Sequence, residues 1–165
     1  MGVLAEFLRT ESEHLKADKV RRSEILREWL ASLKALFHQM EVWLISCDPE
    51  RLIDRTVEEV TGTELAFGNY RLPVLKLTLV DRSVSFEPVA RNLAAKARAP
   101  GQENPTRVQG GVYVRWVGGS GCYLFRLADG RWYMQKEFEN LRIVGNDVVP
   151  LDLERFEVLV RKAFE

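Results

Sequence analysis

The chain has 165 residues, of which 46% are hydrophobic and 29% are charged, a composition typical of a soluble globular protein. Its 24 basic and 24 acidic residues give a formal net charge of zero, whereas nucleic-acid binders and proteins of anionic membrane surfaces usually carry a basic excess. No apolar run in the sequence is long enough to span a bilayer, and the N-terminus lacks the pattern of a signal peptide. We therefore predict a single domain over residues 1–165 and, by default, a cytoplasmic location.

The first 47 residues are predicted to be helical. Leu4, Leu8 and Leu15 share one face of the first part, but they do not stay in register with the apolar repeat that follows. This mismatch predicts either a separate first helix or a bend near residues 17–20. The later repeat alternates spacings of four and three, as an amphipathic helix with one buried face does, and consists of Leu26, Leu30, Leu33, Phe37, Met40, Leu44 and Cys47.

The first strands are predicted beyond this helical region. Residues 51–60 fit either a short helix or a strand, and their β-branched content favours the strand. Residues 74–80 and 84–90 alternate between hydrophobic and polar side chains, which predicts a hairpin with its turn at Asp81-Arg82.

The most distinct strand pattern lies between residues 112 and 138, where alternating segments surround two turns. Residues 118–121 are glycine-rich and are interpreted as the first turn. Asp129-Gly130 is predicted to form the second, as a two-residue hairpin turn in which both central positions favour positive φ. A last strand is expected within residues 141–149.

The chain ends in a predicted helix over residues 152–164, with Asp152 as its N-cap. The overall prediction is an α+β fold, in which a long amphipathic N-terminal helix, or two helices, occupies residues 1–47. A meandering antiparallel sheet of about five to seven strands is expected in residues 51–149, packed on that helix. The inner face of the last helix is predicted to consist of Phe156, Leu159, Val160 and Ala163.

Residues that carry catalytic chemistry are sparse. His14 and His38 lie far apart, and the two cysteines, Cys47 and Cys122, show neither the paired spacing of a zinc site nor a neighbouring histidine. We predict no metal, no cofactor and two buried, reduced thiols. The sequence thus favours a protein without catalytic activity.

Charge is segregated along the chain despite the balanced total. Basic residues cluster in the N-terminal helical region and in residues 91–107, a segment that breaks the strand pattern and is predicted to be a mobile loop. These clusters are candidate contacts for a partner or for phosphate groups. Their candidate residues are Lys19, Arg21, Arg22, Arg91, Lys96, Arg98 and Arg107.

Three functional hypotheses follow from these patterns. The leading one is a non-enzymatic protein-binding or regulatory module, with a homodimer through the long helix as a subsidiary prediction. The second is nucleic-acid binding through the basic segments near Arg21 and Arg98. The third is a metal-dependent hydrolase or nuclease that uses Glu87, Asp129 or Glu137.

Overall fold

The computed structural model describes residues 2–118, 121–136 and 146–165. These parts of the chain confirm the predicted α+β class, with nine strands where about five to seven were expected. In chain order the elements are α1 (Val3–Cys47), β1 (Asp54–Glu64), β2 (Gly68–Leu79), β3 (Arg82–Ala90), β4 (Lys96–Arg98), β5 (Thr106–Arg107), β6 (Gly111–Trp116), β7 (Gly121–Arg126), β8 (Trp132–Gln135), β9 (Asn146–Pro150) and α2 (Leu153–Phe164).

The strands form one sheet in the order β1-β2-β3-β6-β7-β8-β9-β4-β5. Neighbouring strands are antiparallel, with the exception of β4 and β9, which are parallel. The sheet is thus a meander in which β3 pairs directly with β6. The two strands between them in sequence, β4 and β5, lie at the far edge of the sheet, beside β9. Residues 51–60, whose sequence fits either a helix or a strand, belong largely to strand β1, as their β-branched content predicts.

The two predicted hairpins are confirmed, and both turns differ in detail. β2 and β3 pair with Leu77 opposite Val84, but the turn lies one residue earlier than predicted, at Val80 and Asp81, with Val80 at φ 57°.

The loop between β7 and β8 is longer than the predicted two-residue turn. Leu127 donates its N–H to the carbonyl of Arg131 at 3.1 Å, and Gly130 donates to the carbonyl of Leu127 at 2.9 Å. Of its central residues Gly130 alone has positive φ, 78°, so this is a type I turn closed by a left-handed glycine.

Two further predictions reach residues outside the described ones. The predicted turn at 118–121 lies between β6 and β7 in the sequence, and its residues 119 and 120 lie outside the described residues. Of the strand expected within residues 141–149, β9 supplies the part from Asn146 onward, and residues 141–145 lie outside the described residues.

The N-terminal helix is continuous, so the predicted break near residues 17–20 is wrong. The prediction extended a seven-residue repeat backwards, and an α-helix drifts by about 20° per heptad against such a repeat. An eleven-residue repeat fits the helix better, because it corresponds to 3.67 residues per turn. Leu4, Leu15, Leu26 and Phe37 follow that spacing and therefore lie on one side of α1.

The main core lies between the two helices and one face of the sheet. α1 contributes buried side chains from Trp29 onward, and α2 contributes Phe156, Leu159, Val160 and Ala163, as predicted. The cap of α2 is also confirmed, because the Asp152 side chain accepts a hydrogen bond from the Arg155 N–H at 2.9 Å. Periodicity and capping together were sufficient to position this helix.

The segment predicted as a mobile loop contains β4 and β5 and covers the second face of the sheet. Its small side chains Ala95, Ala97 and Ala99 are buried and allow its backbone to approach the sheet closely. The second core cluster that they form also includes Val108, Phe125, Leu127, Tyr133 and Val148. Alanines lack the strong alternating pattern of larger apolar residues, which explains why the sequence indicated a loop.

Candidate interaction surface

The first half of α1 extends beyond the folded body. Residues 2–24 are all exposed apart from a half-buried Glu11, and continuous packing begins near Ile25. At 1.5 Å per residue, the 22 residues from 3 to 24 form a rod of about 33 Å. We call residues 3–24 the projecting segment.

The projecting segment carries an apolar stripe along one side. Farther along α1, the same side of the helix packs against the sheet. Its members Leu4, Phe7, Leu8 and Leu15 are between 54% and 68% exposed. A shallow groove of about 340 Å³ runs along the stripe between Leu8 and Leu15. Several large apolar side chains exposed along one side of a helix mark an interaction site more often than an isolated surface leucine does.

The two halves of the projecting segment carry opposite charge. Residues 3–13 hold three acidic and one basic side chain, whereas residues 14–24 hold four basic and two acidic side chains, with His14 taken as neutral. A helix that lay antiparallel and carried the same charge order would place acidic residues opposite basic ones.

The β1–β2 turn reaches the base of the projecting segment. Leu65, at its tip, is fully exposed. A groove of about 350 Å³ separates the turn from Lys19, Arg22 and Leu26 of α1. The apolar stripe and this turn therefore border the same side of the helix.

Glu64 anchors the β1–β2 turn to the start of the segment that covers the second face of the sheet. Its carboxylate accepts hydrogen bonds from the N–H groups of Arg91 at 3.0 Å and Asn92 at 2.9 Å, and from the hydroxyl of Tyr70. Burial, together with the bond to Glu64, raises the pKa of Tyr70. Arg91 is half-buried, and burial followed by the charge of Arg126 lowers the pKa of its guanidinium.

The seven predicted contact residues do not form one cluster. Lys19, Arg21 and Arg22 lie on the projecting segment, whereas Arg91 follows β3 and donates its N–H to Glu64 at the end of β1. The remaining three, Lys96, Arg98 and Arg107, lie on β4 and β5 and are exposed.

The two arginines central to the nucleic-acid hypothesis each contact an acid. The guanidinium of Arg21 lies 3.1 Å from a carboxylate oxygen of Asp18, and that of Arg98 lies 2.7 Å from Asp147. These exposed pairs reduce the positive potential that either arginine presents to a phosphate. Nucleic-acid binding stays a prediction.

The carboxylates of the hydrolase hypothesis have local partners. Glu87 accepts hydrogen bonds from Ser85 at 2.6 Å and from Arg115 at 3.1 Å. Asp129 accepts from the Tyr133 hydroxyl at 2.6 Å, and Glu137 lies outside the described residues. Among the residues that the structure describes, no group of three or more His, Cys, Asp or Glu side chains is arranged to hold a metal ion.

The two cysteines are free thiols in different surroundings. Cys122 is buried, as predicted, and burial raises its pKa to about 12. The prediction that Cys47 is buried is wrong, because it is the last residue of α1 and lies exposed there.

The sequence predicted a homodimer through the long helix and contacts at Lys19, Arg21 and Arg22, but it did not reveal that the apolar stripe of the projecting segment is exposed. The stripe was visible in the sequence, but its exposure depends on where the sheet ends beneath α1, and no local pattern encodes that. None of the described helices combines the length and the apolar character needed to cross a bilayer. Comparison of the chain with protein families, curated proteins and solved structures finds no match.

Proposed function

We propose that this protein is a non-enzymatic protein-binding module and that the projecting segment is its working surface. The observation that carries the proposal is the exposed apolar stripe of Leu4, Phe7, Leu8 and Leu15, which continues the core-facing side of α1 beyond the folded body. Burying such a stripe against a second apolar surface is favourable by roughly 25 cal/mol per Å². Its cytoplasmic location stays a prediction.

The partner that best fits this surface is a helix with its own apolar stripe. A second copy of the chain meets that requirement in the antiparallel orientation, in which Leu8 of each copy lies opposite Leu15 of the other. In this register Glu6 of each copy lies opposite Ala17 of the other, within one helical turn of Lys16 and Lys19. Lys19, opposite Leu4, can cover it with the methylene groups of its side chain.

The strength of this association follows from the size of the stripe. Four large apolar side chains per copy make an interface smaller than that of a permanent dimer. We therefore expect a dimer that forms and dissociates with protein concentration. Because charge complementarity contributes, the dimer should weaken as salt is added.

Sedimentation velocity of the full chain over a wide concentration range tests this proposal. We expect the wild type to shift from monomer to dimer, and the double variant Leu8→Glu, Leu15→Glu to stay monomeric. Val20→Glu is the matched control, because Val20 is similarly exposed at 58% but lies about 140° around the helix from Leu15. Dimerisation that persists in the double variant, or a wild type that is monomeric throughout, would exclude the second copy as the partner.

Affinity purification followed by native mass spectrometry distinguishes the other partners. A second protein that is retained by the wild type and by Val20→Glu, but lost in the double variant, would show that the stripe binds a different chain. Nucleic acid that co-purifies with all three proteins and is lost at high salt would instead favour the nucleic-acid hypothesis. If the double variant retains everything that the wild type retains, the proposed surface is wrong.

A further inference from the structure

A second surface feature lies on the other part of α1, away from the projecting segment. It is a groove of about 570 Å³ between α1 and the β7–β8–β9 region. Its volume is within the usual range for small-molecule sites, which are mostly apolar with a few polar groups. Residues that line it include Ser32, Leu36, Gln39, Trp43, Trp132 and Leu151.

The aromatic walls of this groove are supported from behind. The ring of Trp132 packs on Trp29 with 6.0 Å between ring centroids, and the ring of Trp43 packs on Phe156 at 5.2 Å. Trp29 and Phe156 are fully buried, whereas Trp43 and Trp132 are half-buried. The groove is therefore formed before any ligand arrives, which lowers the entropic cost of binding.

Arg126 borders the groove, and its charge is incompletely paired. Its side chain is 10% exposed, and its Nη2 donates a hydrogen bond to Glu28 Oε1 at 2.9 Å. Its Nε and Nη1 are buried and have no hydrogen-bond partner among the described residues. Buried donors without a partner carry a free-energy cost, which a bound anion that accepts their hydrogen bonds can relieve.

Glu28 is a weak partner that an incoming anion can replace. Its side chain is 65% exposed, so it can rotate into water at little cost. Arg126 lines the groove beside Gly130, which has no side chain, and a β-carbon at position 130 would lie 3.7 Å from Nη2. Arg131 borders the same groove and adds a second positive charge.

We propose that this groove binds an organic carboxylate with a flat apolar body. The carboxylate replaces Glu28 and accepts two hydrogen bonds from the Arg126 guanidinium, while the apolar body lies against Trp43 and Trp132. A carboxylate matches the planar fork of one guanidinium and carries the single negative charge that Arg126 needs once Glu28 has moved. This site is separate from the projecting segment and does not depend on the function proposed for it.

Equilibrium dialysis with 1-naphthoate tests the proposal, with 1-naphthamide as the neutral control of nearly the same shape. We expect the wild type to bind the acid at least about tenfold more tightly than the amide, since a charge-assisted bidentate contact contributes more than a neutral one. The absorbance of the naphthyl group reports free and bound probe directly. Equal binding of acid and amide, or no binding of the acid, would overturn the proposal.

Three single variants identify the groups involved. Arg126→Met should remove the preference for the acid, whereas Glu28→Gln should tighten acid binding several-fold because it removes the competing carboxylate. Arg115→Met is the control, since Arg115 pairs with Glu87 on β3 and does not line the groove. If Arg126→Met does not fold, Glu28→Gln still tests the proposal, because the Glu28 side chain is exposed and its replacement should not disturb folding. Unchanged acid binding in that variant would contradict the proposal.

Discussion

The indole ring of Trp29 lies against Gly110 so closely that a β-carbon at position 110 would be 2.2 Å from its Cζ3 atom. Gly110 has φ 138°, a conformation that other residues rarely adopt. Its carbonyl accepts the N–H of Arg126 at 3.0 Å, which fixes its position beside β7. Trp29 can therefore be fully buried only because position 110 has no side chain.

Gly110→Ala should lower the free energy of unfolding by roughly 2–4 kcal/mol, the sum of overpacking against Trp29 and backbone strain at positive φ. Gly101→Ala is the matched control, because Gly101 also has positive φ, 84°, but a β-carbon there meets nothing within 4 Å. The control should lose only about 1 kcal/mol, the strain alone. Equal losses in the two variants, measured by urea unfolding, would show that the contact with Trp29 is unimportant.

The projecting segment should contribute almost nothing to the stability of the folded body. Deletion of residues 2–20 removes only side chains that are exposed, or half-buried in the case of Glu11, and so should leave the melting temperature of dilute monomer within about 2 °C. In contrast, Leu33→Ala removes a fully buried side chain and should cost about 2–5 kcal/mol. A large loss of stability in the deletion variant would mean that the segment packs on the body.

Prediction from sequence succeeded where one element determines its own structure. The inner face of α2 and its Asp152 cap, and the alternation around Leu77 and Val84, depend on local spacing alone. It failed where distant segments decide the outcome. The buried Ala97 and its neighbours gave no periodic signal, and the full extent of α1 required the distinction between periods of 3.5 and 3.67 residues.

The candidate sites were less predictable than the fold. Arg126 and Glu28 are 98 positions apart, and their pairing depends on how β7 lies beneath α1. Arg91 and Glu64 are likewise brought together only by the sheet order. The basic candidates were identified from charge alone, and charge along a sequence does not reveal which arginines already contact an acid, as Arg98 does.

The two thiols should differ sharply in reactivity. Cys122 is buried with a pKa of about 12, so almost no thiolate forms there at neutral pH. Cys47 is exposed, so a reagent can reach its thiol. Loss of some of its hydration raises its pKa, and the rate of its reaction should therefore increase as pH rises. Native protein should therefore release one equivalent of chromophore from Ellman's reagent, and Cys47→Ser should release none until the chain unfolds. Two rapidly reacting thiols in the native wild type would contradict the burial of Cys122.

Ionisation of Tyr70 should lower the free energy of unfolding at alkaline pH. Burial and the hydrogen bond to Glu64 raise its folded-state pKa above the ordinary value of 10.0. Above that pH the unfolded chain releases the proton while the folded chain keeps it, so the folded state binds more protons and its stability falls as pH rises. The stabilising contribution of the hydroxyl is complete below pH 10 and is lost above it.

Tyr70→Phe isolates this effect, because the other tyrosines titrate equally in both proteins. At pH 8 the variant should be less stable by about 1 kcal/mol, the net value of one hydrogen bond. The difference should narrow as pH rises above 10, because only the wild type loses the contribution of Tyr70 there. Urea unfolding at each pH measures the gap. A gap that stays constant over this range would mean that Tyr70 titrates at its ordinary pKa in the folded protein, and that the bond to Glu64 does not hold its proton.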